Sequence, residues 1–145
     1  MEKEIQRKYL QLQLTKQQLT ALIQEKNAID ERVAEMTVTI NALNGFGAVK
    51  PGNEMWSPLG SGAFVISGIK DTENVLVSVG AGVVVKETKE RAIELLNSRL
   101  EEIMKFDKEI VTEINRFSGQ MEKIEEEMQK LAEKEKGEHD EHIHR

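Results

Sequence analysis

The sequence predicts an α+β fold, mostly α, in which two long helices pair as an antiparallel coiled coil and two β-hairpins are inserted between them. Three observations carry this reading. A 3-4 apolar repeat runs almost unbroken through each flank of the chain. The middle, "PLGSGAFVISGIKDTENVLVSVGAGVVVKET" from Pro58 to Thr88, is rich in Gly and Val and nearly free of charge. The composition, 32% charged and 4% aromatic over 145 residues, offers too little apolar mass for a compact globular core of that length. The expected segments are a helix at 1–44, a β-hairpin assembly module at 45–87, a helix at 88–136 and a disordered tail at 137–145.

In the first helix the repeat is Met1, Ile5, Lys8, Leu12, Thr15, Leu19, Leu22, Lys26, Ile29, Val33, Met36, Ile40 and Leu43, with only Lys8, Thr15 and Lys26 polar. It meets "NGFGAVKPGN", where Asn44, Gly45 and Gly47 suit a C-cap with positive φ and Pro51 forbids a restart. Thr88 is the expected N-cap of the second helix. There the repeat is Ile93, Leu96, Leu100, Ile103, Asp107, Ile110, Ile114, Phe117, Met121, Ile124, Met128 and Leu131, with Asp107 the one polar intruder.

A lone amphipathic helix of this length cannot bury its seam, but two joined by a compact insert can bury each other. The termini then meet at the end far from the insert. With Leu43 near the level of Ala92, Lys26 falls within about a turn of Asp107, so the two interruptions either pair across the seam or are two unrelated solvated breaks in it.

Within the insert, "EMWSPL", "GAFVISGIK", "NVLVSVG" and "GVVVKET" read as short strands. Gly60-Ser61-Gly62 and Gly80-Ala81-Gly82 are hairpin turns rather than phosphate loops, because each lies between strands and no Lys-Ser/Thr follows. "DTEN" from Asp71 to Asn74 turns between the hairpins. Both strand faces are largely apolar, and no helix remains to cover them, so the sheet needs neighbours from other chains. Val75, Val77, Val79, Val83 and Val85 are the candidate oligomerisation residues.

Several function classes drop out. A net charge of −6 argues against nucleic acid as the main partner. All three His lie in the tail, so no Ser-His-Asp arrangement can form in the folded body, and an enzyme is not expected. His139, His142 and His144 have metal-ligand chemistry but no fold to fix their geometry, so no metal site or cofactor is assigned. Cys is absent, which fits a reducing cytosol, and the chain reads as soluble, with neither a signal peptide nor a span.

On Pro58, Leu59, Gly60, Gly62, Asp71, Val75, Val77, Val79, Gly80, Gly82, Val85 and Ala92, the chain resembles the α-type subunit of archaeal prefoldin. The motif covers about Trp56 to Leu96, and the flanking helices match in architecture. The V-x-V-G-x-G element from Val77 to Gly82 is fairly specific between long coiled coils, and two hairpins rather than one point to the α-type. Trp56 and the tail "GEHDEHIHR" stand outside the pattern. The resemblance implies a cytoplasmic, ATP-independent chaperone built as a hexamer of two α-type and four β-type chains. The hairpins would form a double β-barrel. The coiled-coil tips would hold non-native proteins and pass them to a group II chaperonin, with no nucleic acid or membrane involved. The client-binding residues would then be those that the antiparallel arrangement brings to the distal end: Met1, Ile5, Tyr9, Ile124, Met128 and Leu131. The alternative is a homo-oligomeric coiled-coil scaffold or filament built on the same barrel.

Overall fold

The computed structural model describes residues 2–143, with side chains for 2–138. Helix α1 spans Glu2–Asn44 and passes into a 3-10 turn at Gly45–Ala48. Beyond it lie four strands, β1 (Glu54–Gly60), β2 (Ala63–Gly68), β3 (Asn74–Gly80) and β4 (Val83–Thr88), and helix α2 spans Lys89–Ile143. No described helix is long and apolar enough to cross a membrane. The chain divides into two compact units, one of Met1–Glu31 with Lys105–Arg145 and one of Arg32–Met104.

In the first unit the seam is the one the repeat marks out. Leu12, Thr15 and Ile110 are buried, and the other described seam residues are half-buried. Each polar interruption has a partner. The Thr15 hydroxyl donates to the Gln11 carbonyl at 2.8 Å, satisfying a buried group inside its own helix. Lys8 forms an ion pair with Glu127. Lys26 Nζ donates to Asp107 Oδ1 at 3.2 Å, so of the two alternatives it is the cross-helix pair that forms, and Lys26 also reaches Asp30 Oδ2 at 3.0 Å. Lys8 with Glu127 and Lys26 with Asp107 fix the helices of this unit as antiparallel.

In the second unit the repeat residues Val33, Met36 and Leu43 on α1 and Ile93, Leu96, Leu100 and Ile103 on α2 are half-buried, and Ile40 is buried. The strands form two separate antiparallel sheets, β1 with β2 and β3 with β4. Each hairpin closes through a two-residue loop, Ser61-Gly62 and Ala81-Gly82, in which both residues have positive φ. That is the requirement of a type I′ turn, whose twist matches the strands it joins. Each also shifts register just before the loop, at Gly60 and Gly80 with φ of 103° and 101°. The Thr88 hydroxyl accepts from the Arg91 N–H at 3.1 Å and caps α2.

Two expectations need correction. Gly45 and Gly47 do not take positive φ, and Asn44 remains helical at φ −62° and ψ −34°. Instead α1 ends by tightening into the 3-10 turn, and the chain becomes extended at Val49 ahead of Pro51. Nor does α2 end at 136, because it continues to Ile143. Gly137 costs a helix about 1 kcal/mol, and its Glu- and Lys-rich flanks favour helix strongly enough to carry through it. The side chains of His139 and His142, and all of His144, lie outside the described residues.

Candidate functional site

Two surfaces stand out, one in each unit. The first is the hairpin region. In β1–β2, Trp56 pairs with Ile66 and Pro58 with Phe64, placing these four on one face. The Trp56 and Phe64 rings lie 6.0 Å apart and tilted by 48°, within the centroid spacing at which aromatic pairs attract. Trp56 is 68% exposed and Ile66 65%. The opposite face carries Met55, Ser57, Val65 and Ser67, with the two Ser hydroxyls 2.8 Å apart. Met55 and Val65 are exposed there too, so this hairpin is uncovered on both sides.

The second hairpin is covered on one side. Val77 pairs with Val85, and Val77 is buried at 8% exposure, with Val75 and Val85 half-buried. The first turns of α2 lie against it. Ala92 is fully buried, the Lys89 N–H donates to the Glu73 carbonyl at 2.9 Å, and Arg99 Nη2 donates to the Ser78 carbonyl at 2.8 Å. Of the five candidate oligomerisation residues, then, Val77 is spent inside the chain, while Val79 and Val83 remain exposed near the turn. The outer face belongs to Leu76, 73% exposed, and to Val84. Neither is among the residues that the sequence pattern singles out, although their alternation with the candidate valines marks them as the opposite face. Each large apolar side chain left open here would gain about 1.5–3 kcal/mol on full burial.

The entry to β3 is held by Asp71. Its Oδ1 accepts from the Glu73 and Asn74 N–H groups at 2.9 and 3.0 Å, and its Oδ2 accepts from Asn74 Nδ2 at 3.1 Å. Those donors, with a smaller contribution from the Lys86 ammonium, hold its carboxyl down at about 2.

The second surface is the distal part of the first unit. Ile5, Ile124, Met128 and Leu131 lie half-buried in the seam. Tyr9 lies off it and is 56% exposed, as are Leu10 and Leu14 to a similar degree. Met1 is outside the described residues. A groove of about 560 Å³ runs here between Glu4, Arg7, Lys8 and Gln11 of α1 and Glu127, Lys130, Leu131 and Lys134 of α2. The Lys8 ammonium, then Lys123 and Lys130, hold the Glu127 carboxyl below the ordinary carboxylate range. Both surfaces offer apolar area rimmed by charge, which is the chemistry of noncovalent association.

The prefoldin subunit family model matches residues 15–134. The α subunit of prefoldin from Methanococcus vannielii is 30% identical, over 91% of this chain and 88% of its own. That from Archaeoglobus fulgidus is 27% identical over 92% and 98%. Among solved structures, filamentous prefoldin from Methanocaldococcus jannaschii shares the fold with a TM-score of 0.69 and 19% identity, over 78% of this chain and 93% of its own. The prefoldin β subunit from Thermococcus strain KS-1 does so with a TM-score of 0.58 and 16% identity, over 88% and 91%. With its helix, two hairpins and helix, this chain belongs to the prefoldin family of non-enzymatic chaperone subunits, in its archaeal α-type branch.

Proposed function

We propose that the chain works in the cytoplasm as the α-type member of a hexamer with four β-type chains. In that assembly it holds non-native proteins at the distal ends of its helix pairs, without ATP, and releases them to a group II chaperonin. The observation that supports this most is the pair of apolar hairpins, one open on both faces and one open on its outer face. Two-stranded ribbons are marginal alone, so these strands call for partner strands. Assembly through them would place several distal ends around one client. Each contact is weak, and their multivalent sum gives reversible holding.

The test is to dilute a denatured enzyme into the protein, with and without a β-type chain, and follow light scattering. The expected result is suppressed aggregation without nucleotide, together with a mass matching two α and four β chains. A second reading is favoured by one observation, the shared fold with a filamentous prefoldin: a homo-oligomeric scaffold without clients. A large regular assembly of this chain alone that leaves aggregation unchanged would establish that reading instead.

A further inference from the structure

The chain is acidic, with a net charge of −6. The distal groove inverts that sign. Arg7, Lys8, Lys130 and Lys134 line it against only Glu4 and Glu127, and Lys8 is paired with Glu127. Two positive charges are left over. Periodicity produces this. Lys123, Glu127, Lys130 and Lys134 fall on one stripe of α2 at helical spacing, whereas Glu122, Glu126 and Glu133 fall on another. The surface between the cations is mostly apolar, with Leu131 among the lining residues. The depressed carboxyl of Glu127 reports the same positive field from Lys8, Lys123 and Lys130.

We propose that this groove selects its clients by charge as well as apolarity, taking non-native segments in which apolar side chains are flanked by Asp or Glu. This rests on the distal end being the capture site. An apolar side chain enters against Leu131 and the aliphatic stems, and flanking carboxylates meet the exposed heads of Arg7, Lys130 and Lys134. Elsewhere on an acidic chain such a segment is repelled. The groove therefore gives it a preferred place and fixes how it lies.

The probes are three short peptides with one apolar core, flanked by aspartates, by lysines or by serines. Binding to the assembled full-length chain is followed by fluorescence anisotropy. The aspartate-flanked peptide is expected to bind about tenfold more tightly than the lysine-flanked one at low salt, the sum of a few rim charge pairs. The gap should close at about 1 M salt, where the screening length is about 3 Å. Arg7→Gln, Lys130→Gln and Lys134→Gln together should erase it, with the aspartate-flanked peptide falling to the affinity of the serine-flanked one. Equal binding of all three peptides to the unmodified protein overturns charge selection and leaves distal capture standing, as does a gap that survives the triple substitution. Binding of no peptide, with a denatured enzyme still not held, overturns both.

Discussion

The two hairpins share a design and differ in what covers them. Both have a two-residue loop with positive φ, and both shift register at the preceding Gly. Yet Val77 in the second is buried, with Arg99 of α2 bonded to the neighbouring Ser78 carbonyl, while Trp56 and Ile66 in the first stand open. The turn chemistry is local and forms wherever the loop residues allow it. Burial depends on the next element along the chain, and only β4 runs directly into a helix that folds back over its own sheet. The second hairpin is thus half a core within one chain, and the first is left open on both faces.

The contrast can be broken most forcefully by charge. Val77→Asp should cost the chain about 3 kcal/mol or more, because a carboxylate would be buried without a partner. Thermal unfolding by circular dichroism would show it at any protein concentration. Ile66→Asp should leave that unfolding within about 0.5 kcal/mol under dissociating conditions, yet yield smaller species by sedimentation. If both variants lose stability equally, the hairpins are not differently covered. A smaller effect separates the second hairpin from its helix. Arg99→Met removes the hydrogen bond to the Ser78 carbonyl, for an expected loss of about 1 kcal/mol in chemical denaturation.

Acid probes the entry to the second hairpin. The Asp71 carboxyl sits below its unfolded value, so its contribution is complete above about 3.9 and fades as pH falls toward about 2. An NMR titration should give a midpoint near 2. Protection of the Glu73 and Asn74 amides should fall with it, and Asp71→Ala should remove that pH dependence. The smallest effects lie in the loops. Ser61 and Ala81 hold φ of 52°, a region that costs a residue with a Cβ roughly 1 kcal/mol more than Gly. Ala81→Gly should raise the stability of the chain itself by about 0.5 kcal/mol, net of glycine's entropy. The gain from Ser61→Gly should appear only in the assembled state. Equal gains in both states would show that the first hairpin folds without partners.

Much of this fold is legible in residue order. The seam repeat locates the buried Leu12, Ile40 and Ile110. Two polar residues breaking two apolar rows locate the Lys26–Asp107 pair. Gly-X-Gly locates both turns, and Thr88 the cap. The features that escape have a common cause. A period of two separates the faces of a strand but cannot tell which is covered when both are apolar, so it groups Val77 with surface residues and passes over Leu76 and Val84. Likewise, Gly45 and Gly47 permit positive φ without requiring it, and a 3-10 turn closes the helix instead. At the distal end, the 3-4 repeat selects the seam and has no means of ranking Leu10 or Leu14, which lie off it.

The Lys26–Asp107 pair has a consequence for misalignment. Two apolar rows with a seven-residue repeat fit almost as well when slipped by one repeat, and carbon against carbon cannot object. A slip of seven in either direction would set Lys26 against Leu100 or Ile114, and Asp107 against Leu19 or Val33. Asp107 would then face hydrocarbon with its cation two turns away, and Lys26 would keep only Asp30 of its own helix. The pair thus acts as a key cut for one lock position. An error made there would travel undiminished along rigid helices to Lys8 and Glu127, roughly 27 Å further out along α1. The lining of the distal groove thus depends on a register that a pair of residues outside it helps to set.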